Sequence, residues 1–272
     1  MFRILCVLVF IFSFVINAHA HMMLAYTPET FLEKAQDIEM RLMLTNPTNL
    51  PQVLPLQGIN DFYVLHQCLN SEIKKIDLKS KLKEVMFKHA DKNHKAFAAT
   101  IAKAELAELG DYVFCVIPDY YYDNAADAYL QQITKVILNV GEVPGNFHAP
   151  ANLPCEIVPL CKPYALWKGN VFTGRVLSQG KPVPHAEIEV VYLNQQLNVG
   201  KNIIVRKNRV NYPYNMLKTQ TIYADVQGYF SYGLPLAGWW GFAALNVGPE
   251  EKHEGKDLSQ DAVIWVQAYN IN

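Results

Sequence analysis

Charge is in short supply in this 272-residue sequence, and neither sign dominates. Only 18% of the residues are charged and the formal net charge is −1. Nucleic-acid binding needs a concentrated positive face, so this balance excludes it as an expected partner. Long apolar runs are missing beyond the first twenty residues. The most apolar later stretch, LPLAGWWGFAALNVG, is broken by glycines and a proline and reads as strand and turn. A helical membrane span needs roughly 20 unbroken apolar residues. Catalytic signatures are missing too: there is no GxSxG, HExxH, Walker loop or CxxC. No enzyme is expected on these grounds. What the sequence does have is 51% hydrophobic residues, enough for a substantial core.

Residues 1–20 read as a secretory signal peptide. Arg3 supplies the positive start, residues 4–15 are almost wholly apolar, and Ala18-His19-Ala20 offers small residues at the cleavage positions. The apolar run is short for a span, which leaves an uncleaved anchor as the alternative. Export to the periplasm is the expectation. Four cysteines then remain: Cys68, Cys115, Cys155 and Cys161. An oxidising compartment permits disulfides among them. In an extended CEIVPLC segment, Cys155 and Cys161 would stand roughly 20 Å apart at about 3.3 Å per residue. A bridge needs about 5–6 Å, so that pair requires a sharp turn.

The rest of the chain predicts an all-β fold. GDYVFCVIP (110–118), YLQQITKVILNVG (129–141) and LPCEIVPL (153–160) are rich in β-branched and aromatic residues and are punctuated by glycine and proline. The lysine-rich stretch 71–109 reads as a strand pair with a charged outer face or as a short amphipathic helix. A boundary near 161–169 divides the mature chain into an N-terminal β-rich domain (21–160) and a C-terminal β-sandwich domain (161–272). Both domains are expected to be sandwich-like. In the second, two hairpins are expected. One runs through the Gly-Lys-Pro turn at 180–182, and the other, TQTIYADVQGYFSYGLP, takes its turn chemistry from Asp225 and Gly228. About six strands at regular spacing argue for an immunoglobulin- or transthyretin-like shape. Residues 195–218 form a polar, basic insertion, read as a long hairpin or loop.

The chemistry concentrates at the new N-terminus. Cleavage after Ala20 would place a free α-amine beside the His21 imidazole, two nitrogens that can chelate one divalent ion. Cleavage after Ala18 would leave His19-Ala20-His21, a square-planar arrangement suited to Cu(II) or Ni(II). The competing reading is that histidines merely flank the cut site, since termini are often loose. His66, His89, His94, His148, His185 and His253 show no spacing that marks a site. PDYYYDN (118–124), with Asp119 and Asp123, reads as an aromatic loop packed on the sheet or as the wall of a small-ligand pocket.

From about residue 110 onward the sequence resembles the NikK-like periplasmic accessory proteins of energy-coupling-factor nickel and cobalt uptake. The resemblance lies in EIVPL, KPY-LW-GN-F-G-V, GKPVP-AE-EV and GWWGFAAL, which stand in the family's order, and in Ala18-His19-Ala20-His21. It implies nickel or cobalt binding with His21 (or His19) as a ligand, copper being a further candidate, and membrane metal-transporter components as partners. Asp123 falls where that family keeps an acid. Two positions depart from it: Asn46, in Thr45-Asn46-Pro47, and Gln132, in Gln132-Ile133-Thr134-Lys135, stand where the family carries histidines. Amides bind such ions more weakly than imidazole. Three readings therefore remain open: a metal-binding protein feeding a transporter, a degenerate relative acting as a protein- or ligand-binding scaffold, and a copper enzyme built on a terminal histidine.

Overall fold

The computed structural model describes residues 21–48, 53–54, 56–68, 71–89 and 92–271. These residues form strands and three short 3₁₀ turns, an all-β fold as expected. Residues 1–20, the expected signal peptide with His19, lie outside them.

Three sheets stack in layers. The central sheet runs in the order Thr219–Tyr223, Glu187–Tyr192, Gly238–Ala244, Lys256–Tyr269, Ala128–Val140, Gly110–Pro118, Ile59–Gln67 and Lys74–Asp77, with short strands added at its margins. It draws strands from both sides of the boundary expected near 161–169. They join where Ala128–Val140 pairs in parallel with Lys256–Tyr269, Gln132 opposite Asp261. One face is covered by a sheet ordered Met22–Tyr26, Ile38–Thr45, Lys92–Ile101, Lys83–His89, Ile203–Asn208 and Gln195–Asn198. The other face is covered by Cys155–Pro159, Val171–Ser178, Lys181–Pro182 and Tyr229–Gly233.

Each interlayer space holds its own core. Met22, Leu24, Met40 and Leu42 pack with Phe62, Phe114, Val136 and Trp265 on the first side. Ile157, Phe172, Val176 and Phe230 pack with Ile133, Phe242, Ile264 and Val266 on the second. The molecule is thus two β-sandwiches that share their middle sheet. Burial on both faces explains why Gly238–Ala244 reads as a near-continuous apolar run instead of alternating.

Several sequence expectations are met. The strands at 110–118, 128–140 and 155–159 form, and the described residues of 71–109 form strands and two short 3₁₀ turns with no α-helix among them. The basic insertion forms a hairpin, Gln195–Asn198 with Ile203–Asn208, which extends the outer sheet through Ile203 beside Lys88. Of the two expected hairpins, the first forms only in part and the second requires correction. Val171–Ser178 pairs with Lys181–Pro182 across the turn at 179–180, and with Cys155–Pro159 and Tyr229–Gly233, whereas Glu187–Tyr192 pairs with Thr219–Tyr223 and Gly238–Ala244. The chain changes sheet after Pro182 and again at the Asp225–Gly228 turn. Turn chemistry fixes a reversal; which partner a strand then meets is decided by the layer that buries its apolar side. The four cysteines are free, Cys115 and Cys155 fully buried.

Candidate functional site

The first strand, Met22–Tyr26, is buried at every position. It pairs antiparallel with Ile38–Thr45, Met22 opposite Thr45, and the same register continued by one residue beyond the last pair sets His21 beside Asn46. Its other contacts are made by side chains rising from the central sheet. Gln132 accepts a hydrogen bond from the Met23 amide (2.6 Å) and donates one to the His21 carbonyl (3.1 Å). Trp265 Nε1 donates to the Met23 carbonyl at 2.9 Å. The segment beginning at His21 is therefore held down by the sheet beneath it, and His21 itself is half-buried.

Beneath Gln132 lies Asp261, its ladder neighbour. Its carboxylate accepts from Gln132 Nε2 (3.1 Å), the Asn246 amide (2.8 Å) and Ser259 Oγ (2.6 Å). Complete burial raises its pKa, and those three donors only partly oppose the rise. Glu189 lies on the same face, reached through Ala243 and Val263 in the ladder. Burial, then the negative charges of Asp261 and Glu187, push its carboxyl up to about 7. An acidic floor of Asp261 and Glu189 thus lies on the sheet face that carries His21.

Three of the sequence-predicted positions come together here: His21, Asn46 and Gln132. Both amides are committed locally. Asn46 Oδ1 accepts from the Thr48 amide (3.1 Å) and Thr48 Oγ1 (2.8 Å), a side-chain-closed turn. Gln132 is occupied as described. Asp123 stands apart. It pairs with Ala128, four residues before Gln132, about 13 Å along the strand. Its Oδ1 accepts from the Ala125 amide and closes the hairpin tip. His66 is buried against Tyr112 and the Leu109 carbonyl, and the exposed His148 packs on Phe147; neither joins the cluster. Among the described residues, no three His, Cys, Asp or Glu side chains stand close enough to hold a metal ion.

Sequence reasoning missed Asp261 and Glu189. Asp261 opens the apolar run DAVIWVQAY, where a lone acid looks like a solvated strand end, and Glu189 alternates with Ile188 and Val190 as an outward residue would. The one available signal was a carboxylate at the head of a strand too apolar to have a wet face.

Residues 18–248 match a family described as Domain of unknown function (DUF4198). The chain belongs to that family. No curated protein matches it significantly. Among solved structures, the chain aligns with the D0-D1 domain of Intimin at 12% identity and a TM-score of 0.22, over 89% of this chain and 96% of that one. A Yersinia pseudotuberculosis adhesin, InvE, aligns at 13% identity and a TM-score of 0.23, over 89% of this chain and 58% of that one. At such scores neither alignment bears on what this DUF4198 member does. The match runs from residue 18 to 248, so it takes in the His21 segment and Gln132 but not Asp261 or Trp265.

Proposed function

We propose that this DUF4198 member is an exported carrier of a divalent cation of the nickel or cobalt type, not an enzyme, with His21 as the principal ligand. It would work in the periplasm and pass the ion to membrane transport components. The observation that carries the reading is the grip of Gln132 on the His21 carbonyl and the Met23 amide. A chain end without a task is commonly loose. Here the first strand is buried and its start is fixed over an acidic floor. If the leader is removed after Ala20, the α-amine and imidazole of His21 form a two-nitrogen chelate in a defined place. Gln132 and Asn46 then act as positioning residues, because their amides are already spent on Met23, His21, Asp261 and Thr48.

A second reading is favoured by that same commitment. With both amides closed and no three-ligand cluster among the described residues, the chain could be a relative that lost its metal and kept the scaffold. Native mass spectrometry separates the two. Protein exported with its own leader is measured alone and with Ni(II), Co(II) and Cu(II). The carrier reading expects one bound ion, lost in His21→Ala and lost when a residue is added ahead of the mature terminus. No uptake at micromolar metal sinks it and leaves the scaffold.

A further inference from the structure

The central sheet ends on Lys74–Asp77 at one side and on Thr219–Tyr223 at the other. An open sheet edge offers unpaired amides and carbonyls to any further strand, and folded proteins commonly blunt it with lysine, proline or a bulge. The first edge is blunted: Lys74, Lys75 and Asp77 are all exposed on it. The second is not. Thr219-Gln220-Thr221-Ile222-Tyr223 carries no charge and no proline, and its register with Glu187–Tyr192 runs without a bulge.

The phase of that ladder decides which groups are open. The Ala224 amide donates to the Ala186 carbonyl at 2.9 Å. Bonding alternates along an antiparallel strand, so Ile222 and Gln220 also bond inward, to Ile188 and Val190. Thr219, Thr221 and Tyr223 therefore turn their amides and carbonyls away from the sheet, and no described strand lies on that side. The flanks of this edge are apolar and bare. Met216, in the short turn before the strand, is 81% exposed, Tyr223 64%, and Val226, in the turn after it, 67%. Tyr214 and Leu217 are exposed beside Met216. Apolar side chains gathered along an unguarded edge mark an interaction surface.

The symmetry of the edge identifies its occupant. An antiparallel copy of the same strand, related by a two-fold axis through Thr221, presents outward groups in the same phase. Thr221 then meets its own counterpart and Thr219 meets Tyr223, so three residue pairs exchange about six backbone hydrogen bonds. The same axis brings the turn that carries Met216 against the corner that carries Val226, once at each end. It also sets Lys218 of one copy by the strand end that leads into Asp225 of the other, opposite charges where the ends cross. No like charges face each other along the strand. We propose that the mature chain forms a two-fold dimer through Thr219–Tyr223, joining the central sheets of two copies into one. The interface is isologous, the same patch used by both copies. One five-residue strand and its flanks fall at the small end of specific interfaces, so the dimer dissociates in the micromolar range, about 1–100 µM. It is independent of His21 and of any metal.

Sedimentation equilibrium on the mature full chain in EDTA, from about 1 to 300 µM, tests this. The mass should rise from one chain to two across that range, and His21→Ala should leave the transition in place. Thr221→Pro removes an outward amide that the sheet itself does not use. Thr221→Lys sets two like charges on the axis. Each should weaken the dimer about tenfold or more while circular dichroism stays unchanged. Thr221→Cys gives a readout that needs no loss of function. Paired Cα atoms across the axis stand about 5.5 Å apart, within disulfide range, so oxidation should yield a covalent dimer linked at position 221 by peptide mass mapping. Lys75→Cys, on the blunted edge, should not cross-link. A monomer at every concentration, a dimer indifferent to both Thr221→Pro and Thr221→Lys, or cross-linking no faster at position 221 than at position 75 overturns the assignment.

Discussion

Gln132 and Asp261 show what a single residue can and cannot reveal from sequence. Gln132 was visible only by contrast with a related pattern, as a position where an imidazole was expected. Its real work is local, closing the Met23 amide, the His21 carbonyl and the Asp261 carboxylate with one side chain. No spacing rule connects residues 109 and 129 positions apart, so those partners could not be read in advance. Glu189 is the residue with the clearest titration consequence. Its folded pKa, pushed up to about 7 by burial and by Asp261 and Glu187, lies above the ordinary carboxylate value. A raised acid favours the folded state while it is protonated. Its contribution is therefore complete below about pH 4.5 and is lost as pH rises through about 7. Glu189→Gln stays neutral throughout. It should match the parent near pH 4 and exceed it by about 1–3 kcal/mol near pH 8, in urea unfolding at the two pH values. Equal differences at both pH values would mean that Glu189 is solvated in the folded protein.

At the scale of elements, strand positions were legible because β-branched and aromatic runs end at glycine or proline. Partners were not. TQTIYADVQGYFSYGLP has the composition of a hairpin, yet its two strands enter different sheets. The turn itself is as strong as it looked. Asp225 Oδ1 accepts from the Gln227 and Tyr229 amides at 2.8 and 2.9 Å, and Gly228 adopts φ of 80°. A Cβ on Gly228 would lie 2.7 Å from the Val176 carbonyl oxygen, which belongs to the neighbouring strand. The corner thus needs glycine for its backbone conformation and for the close approach of the sheet it enters. Gly228→Ala should cost about 1–3 kcal/mol by thermal or urea unfolding. A neutral outcome would show that the corner can open without disturbing either sheet.

For the molecule as a whole, the shared middle sheet decides how stability is distributed. The sequence predicted two sandwich-like halves, and two cores are present, but each uses strands from both halves. Between the central sheet and the four-stranded layer lies a buried ion pair, Lys135 Nζ to Glu156 Oε2 at 2.5 Å, each side chain 1% exposed. Glu156 also accepts from the Ala151 and Asn152 amides, at 2.9 and 3.0 Å, so its charge is well satisfied only while Lys135 is present. Lys135→Met leaves that carboxylate buried without its counter-charge, at a cost of about 3–5 kcal/mol. Lys135 is on the strand that pairs directly with Lys256–Tyr269 and also carries Val136 and Leu138 into the opposite core. Damage on one face should therefore reach the other. Tryptophan reports on both sides, since Trp265 lies in the first core and Trp240 in the second. Lys135→Met, in backgrounds that keep only Trp265 or only Trp240 with the other three tryptophans changed to Phe, should unfold in a single transition at the same lowered midpoint whichever tryptophan is read. Two separated midpoints, with only the Trp240 signal displaced, would mean that the two sandwiches melt independently despite sharing a sheet.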